Sequence, residues 1–296
     1  MATAETGLLS AQLLGQLERL ELVSRKIYRG RMKGERRSPR RGQSVEFADF
    51  RNYVPGDDIR FVDWNTYARL DKLFLKLFLE EEDLHFYALI DASPSMDFGQ
   101  PTKLQFAKQL AAALGFVGLA RADRVRIETL GQAAEQPAPV LRGRRSLWRM
   151  LEYLEGIQPE ERASLEEGVR NFCLRNSGQG IVVLISDLMD KGGYQSALRY
   201  LLAQRMDIYI IHVLSREEMD PGIQGELRLV DCEDAEVAEV TASAPLLARY
   251  RETLNAFLEG AREFCTRRGM SYVLAPNEVA IEEFVAQYLR RQGLVR

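Results

Sequence analysis

With 296 residues, 46% of them hydrophobic and 28% charged, the chain has room for one large α/β domain plus an accessory piece, and its composition excludes a disordered or fibrous protein. A formal net charge of −3 excludes a globally basic nucleic-acid binder, although charge is unevenly spread along the chain. The three cysteines, Cys173, Cys232 and Cys265, are odd in number and far apart, which argues against a disulfide framework or a thiolate zinc site; all three are read as packing residues.

The opening stretch M-A-T-A-E-T-G carries no basic segment ahead of an apolar core, so no secretory signal is expected. The longest apolar run, 110–120, is too short to span a membrane, and the expectation is a soluble, cytoplasmic protein. From Leu8 to Ile27, leucines at 9, 13, 14, 17 and 20 alternate with charged residues at a helical period, which predicts a helix with one apolar face docked on the body. Residues 1–30 are therefore taken as an N-terminal helix, 31–83 as a basic loop with a small β unit, and 84–296 as the main domain.

Between Arg25 and Arg41 nine basic residues face a single acid, Glu35. Only one aromatic side chain, Tyr28, is interleaved to stack on bases, so a protein partner with an acidic surface is expected to meet Arg36, Arg37, Arg40 and Arg41 in preference to a nucleic acid. From Glu46 to Asp83 the Pro55-Gly56 pair marks a turn, and the segments on either side of Leu70-Asp71-Lys72 read as strands. Charged residues there, among them Arg51, Asp57, Asp58 and Asp63, are crowded by apolar neighbours and must pair where they are buried.

The main domain opens on L-H-F-Y-A-L-I-D-A-S-P-S-M, Leu84 to Met96, an apolar run broken by an acid and two hydroxyls. This is the pattern of a buried strand ending in a polar loop, and in an open α/β sheet such ends carry the ligand crevice. Asp91, Ser93 and Ser95 offer hard oxygen ligands suited to Mg²⁺. A helix from the Thr102 cap towards Arg121, a strand over 124–130 and a short edge strand over 138–141 follow. Two helices, 147–154 and 164–174, then precede a second apolar run, 181–185, that closes on Ser186 and Asp187. Two strands that both end in an acid are what convergence at one sheet edge requires.

A helix over 195–204, a strand over 208–214, a β-hairpin inserted near 224–242, a long helix from Leu246 to Gly269, a strand over 272–274 and a closing helix complete the chain. The alternation predicts a mostly parallel sheet with helices on both faces. The only two histidines, His85 and His212, are read as core residues with local hydrogen-bond partners. Asp190 is read as solvated.

The block R-R-G-Q-S-V-E-F-A-D-F-R-N-Y-V-P-G-D-D-I-R-F-V-D-W-N-T-Y-A-R, with the later E-E-E-D and L-I-D-A-S-P-S-M, resembles the bacterial domain-of-unknown-function family fifty-eight. Its members are similar to von Willebrand factor A domains and are thought to act with MoxR-type AAA+ ATPases. The resemblance implies a Rossmann-like α/β fold and a metal-ion-dependent adhesion-type site built from Asp91, Ser93, Ser95 and Asp187, the last reaching the metal through water. It also implies a threonine from the 160–165 loop; Ala163 stands at that position, which leaves Ser164 beside it, or water, to take the threonine's place.

Three functional classes follow. In the favoured one the protein is a non-enzymatic adaptor in which Mg²⁺ leaves a position open for an acidic residue of a client, beside a MoxR-type ATPase. A Mg²⁺-dependent phosphoryl hydrolase of haloacid-dehalogenase type is the alternative, but it needs an acid where Ser93 stands. Nucleic-acid binding through the basic loop is the third. No G-x-x-x-x-G-K-[ST] loop is present, so the chain itself should not hydrolyse ATP.

Overall fold

The computed structural model describes residues 7–24, 46–79, 84–131, 138–160, 164–176 and 179–296. The chain divides into two units, one of residues 33–83 and one formed by 1–32 together with 84–296.

In the smaller unit β1 (Glu46–Asn52) pairs antiparallel with β2 (Phe74–Leu79), with a bulge between Phe47 and Asp49. The sequence between them does not form the strand expected before Leu70. Asp63 accepts hydrogen bonds from the backbone N–H groups of Asn65 and Thr66 at 3.1 and 3.4 Å and so starts a helix, α2 (Trp64–Leu70), which Asp71 ends in the left-handed region at φ 48°. A side-chain cap at the first turn thus overrides the strand propensity of the aromatic residues. Asp57 fixes the preceding turn: it accepts both Arg51 guanidinium nitrogens at 2.8 Å and the Val54 N–H at 2.9 Å. The polar residues of Y-V-P-G-D-D-I-R and D-W-N-T thus hold their own backbone, while Ile59, Phe61, Trp64, Tyr67 and Leu70 are exposed.

The larger unit is built on a six-stranded sheet of order β10-β7-β6-β3-β4-β5, comprising β3 (His85–Asp91), β4 (Arg124–Leu130), β5 (Leu141–Arg142), β6 (Gly180–Ser186), β7 (Met206–Leu214) and β10 (Ser271–Pro276). All neighbours are parallel except β5, which pairs antiparallel with β4. The apolar runs exist because both faces are covered. Phe86, Ala88 and Ile90 of β3 pack with Ile181, Val183 and Ile185 of β6 under one helical layer, and Tyr87 and Leu89 pack with Val182 and Leu184 under the other. The first layer holds α1 (Ala11–Leu17), α3 (Lys103–Ala120), α4 (Leu147–Gly156) and the C-terminal turns (Ile281–Glu283, then a π-helical turn Phe284–Leu289). The second holds α5 (Leu165–Arg175), α6 (Gln195–Leu202) and α8 (Ala244–Arg267).

Helix α3 is buried on nearly every side because it lies between the sheet and the helices outside it. Its glycines permit the close approach: a Cβ on Gly115 would stand 2.5 Å from Met150 Sδ, and one on Gly118 would stand 2.8 Å from Val125 Cγ2. A short helix, α7 (Arg216–Met219), follows β7, and β8 (Gly225–Val230) with β9 (Val237–Ala242) forms the expected hairpin as a separate two-stranded sheet.

Three expectations are corrected here. The N-terminal helix ends at Leu17 rather than near Ile27, because Glu21 and Val23 turn extended and pair with Arg296 and Leu294 through backbone hydrogen bonds of 2.9–3.1 Å. The edge strand lies at 141–142 rather than 138–141. Cys265 is buried and Cys173 partly so, but Cys232 is exposed beyond β8, so it is not a packing residue. No helix among the described residues is long and apolar enough to cross a membrane.

Candidate functional site

Strand order reverses between β3 and β6: the chain leaves β3 for β4 on one side and, from β6, proceeds to β7 and β10 on the other. Crossovers diverge at such a point and a crevice opens beyond the strand ends. Asp91 ends β3 and Ser186 ends β6, so the two acid-terminated runs do arrive at one sheet edge.

The loop after β3 folds on itself. Asp91 Oδ1 accepts the Ser93 N–H at 2.9 Å, which is the local bond that makes an Asp-x-Ser turn, and a 3-10 turn over Pro94–Asp97 follows. The Ser93 and Ser95 hydroxyls come together at 3.0 Å. Asp91 Oδ2 accepts the Ser186 hydroxyl at 2.6 Å, a contact across the strand-order reversal that ties β6 to β3. Ser186 Oγ in turn accepts the Leu188 N–H at 2.9 Å, which shapes the turn after β6.

Asp91 is buried, and among the described residues no lysine or arginine pairs with it. Burial, reinforced by the nearby Asp187 charge, pushes its carboxyl up to about 6, against the hydrogen bonds from Ser186 and Ser93 that favour the ionised form.

Asp187 spends its oxygens on groups other than the two serines. By the pleat Asp91 follows the face of Tyr87 and Leu89, whereas Asp187, one residue beyond β6, reaches the start of α3, the helix that covers the face of Val183 and Ile185. There Asp187 Oδ2 accepts the ammonium of Lys103 at 2.8 Å, and Oδ1 accepts the Met189 N–H at 3.1 Å. Lys103 also donates to Glu218 Oε1 at 2.5 Å. Burial alone would lower the lysine's pKa; Asp187 and Glu218 outweigh it and hold the group above its ordinary value.

Ser164 is spent elsewhere too: its hydroxyl accepts the Glu167 N–H at 3.4 Å and caps α5. Asp190, read from sequence as solvated, accepts the Leu165 N–H at 2.8 Å and the Gly192 N–H at 2.6 Å, and so anchors the start of that helix. Ala163 and the four arginines Arg36, Arg37, Arg40 and Arg41 lie outside the described residues.

Sequence reading missed Ser186, Lys103 and Glu218. A signal for the lysine existed: Lys103 and Lys108 are the only charged residues in a mostly apolar eighteen-residue helix, and a charge in such surroundings needs a partner. For Glu218 the signal was S-R-E-E, a capping box in which the Ser215 hydroxyl accepts the Glu218 N–H at 3.2 Å and the Glu218 carboxylate accepts the Ser215 N–H at 2.7 Å.

His212 is a core residue, its Nδ1 2.8 Å from the Tyr272 hydroxyl. Its Nε2 is buried too, and burial pushes its pKa down to about 4, against the nearby Asp187 carboxylate and backbone, which favour the charged form.

A family model described as "Protein of unknown function DUF58" matches residues 49–258. Uncharacterized proteins Mb1516 of Mycobacterium bovis and Rv1480 of Mycobacterium tuberculosis are each 26% identical over 240 residues, covering 79% of this chain and 75% of theirs. Among solved structures, the conserved hypothetical protein BatB from Bacteroides thetaiotaomicron aligns with a TM-score of 0.42 at 15% identity, covering 70% of this chain and 98% of that one. An aerotolerance-related membrane protein from Bacteroides fragilis aligns with the same score and identity, over 70% of this chain and 99% of its own.

Proposed function

On the premise that the chain belongs to the DUF58 family, we propose that it is a non-enzymatic binding module of von Willebrand factor A-like design that grips an acidic group of a partner through a divalent cation. One observation carries this reading: the Ser93 and Ser95 hydroxyls meet at 3.0 Å beside Asp91, at the edge where the strand order reverses. The donor set suits a hard cation, since it is all oxygen and includes a buried carboxylate without a cationic partner among the described residues. Asp91, Ser93 and Ser95 would hold Mg²⁺, which when bound supplies a positive charge with a position open to an outside carboxylate. Ser186 orients Asp91 and keeps its second oxygen hydrogen-bonded.

The partner assigned in this proposal is a MoxR-type AAA+ ATPase, with client proteins supplying the acid; this part rests on the family resemblance of the Y-V-P-G-D-D-I-R and D-W-N-T-Y-A-R segments. A phosphoryl hydrolase gains nothing from the geometry, because the residue two places after Asp91 is a serine whose hydroxyl is paired with Ser95. The test is calorimetric titration of Mg²⁺ into wild type and Asp91→Ala: heat of binding is expected for the first and its loss for the second. Equal heats would remove the site.

A further inference from the structure

Lys103 opens α3, and its ammonium is fully buried between two carboxylates, Asp187 Oδ2 at 2.8 Å and Glu218 Oε1 at 2.5 Å. The remaining oxygen of each acid is also taken, by the Met189 N–H at 3.1 Å and by the Ser215 N–H at 2.7 Å. Glu218 is itself fixed from α8, because its backbone carbonyl accepts the Tyr250 hydroxyl at 2.6 Å. Asp187 therefore has a permanent cation and no oxygen without a donor. Asp91 has only neutral donors, Ser93 N–H and Ser186 Oγ, and two serine hydroxyls close by.

The crevice is thus divided by charge. An isolated carboxylate attracts an added cation, whereas one already bonded to a buried ammonium offers little net charge and would have to break that pair to bind metal. We infer that Lys103 is the resident cation of the Asp187 side, that it takes Asp187 out of the ligand set, and that a divalent ion is confined to Asp91, Ser93 and Ser95. This rests on the metal-assisted reading above and specifies which of the two strand-end acids serves it. It makes Lys103 a positioning residue, acting on the metal only through Asp187.

The experiment is Mn²⁺ titration of the full chain, with free ion followed by electron paramagnetic resonance. Asp91→Asn is expected to weaken binding at least tenfold, and Asp187→Asn, which leaves Lys103 paired with Glu218, to change it less than twofold. Equal weakening by both substitutions would overturn the inference while leaving the metal site itself in place. A wild-type chain that binds no Mn²⁺ would overturn both.

A second arm replaces the lysine. K103M alone would strand two buried acids, so K103M/E218Q is used, with circular dichroism to confirm folding. Asp187 freed of its ammonium should raise Mn²⁺ affinity at least tenfold, and adding D187N should abolish the gain. A folded K103M/E218Q chain with no gain would count against the inference.

Discussion

His212 shows how a single side chain couples this core to pH. Its imidazole is buried with one nitrogen on the Tyr272 hydroxyl, and burial holds its pKa at about 4, below the ordinary value of 6.5. As pH falls below 6.5 the unfolded chain takes up a proton that the folded chain refuses, so stability is lost progressively down to about pH 4. Asp91 acts in the opposite sense over part of that range, since its raised pKa favours the folded state as pH falls through about 6. The difference between wild type and His212→Gln isolates the histidine. Urea melts should show wild type losing on the order of 3 kcal/mol relative to the variant between pH 7 and pH 4.

At this same scale the site was half legible. Asp91, Ser93 and Ser95 announce themselves because acids and hydroxyls interrupt an apolar run. The fate of Asp187 did not, because its partners Lys103 and Glu218 lie 84 positions before it and 31 after it, and only the fold brings them together. Pleat parity, which parts the two aspartates, depends on where each strand ends, and that boundary is the least certain feature of an apolar run.

Among the elements, the β3–β6 pair is held by close contact as much as by hydrogen bonds. Gly180 sits opposite His85 in the register, and a Cβ there would lie 2.1 Å from the His85 carbonyl oxygen. Backbone cannot yield as a flexible side chain can. Gly180→Ala should therefore destabilise the protein at or above the upper end of the roughly 1–3 kcal/mol usual for overpacking, read as a fall in the urea midpoint.

The long strands and helices of the larger unit were readable because their hydrophobic period is unbroken over seven or more residues. Elements whose form depends on one polar contact were not. Helix α2 exists because Asp63 caps it, and α1 stops early because the following residues pair with the far end of the chain. The motif of the smaller unit was recognisable without revealing its logic: its acids serve the turn and the cap, and its aromatic residues face outward.

For the molecule as a whole, net charge of −3 conceals the basic run between Arg25 and Arg41. If that run meets an acidic protein surface, reversing Arg36, Arg37, Arg40 and Arg41 to glutamate should reduce recovery of the ATPase in a pull-down from the native host at least severalfold, and raised salt should do the same to wild type. Unaltered recovery would assign the run no part in that contact.

The bond from Ser186 to Asp91 spans 95 positions and joins the two arms of the sheet where their order reverses. Neither arm carries a finished pocket. The first supplies the acid and its serines, the second only the hydroxyl that orients the acid. Ligand competence must then be among the last properties gained as the polypeptide matures, arriving when distant segments zip together and not with early local helices. In a refolding time course, cation uptake should trail the recovery of helical signal, so that capture of a partner doubles as proof that the chain has finished folding.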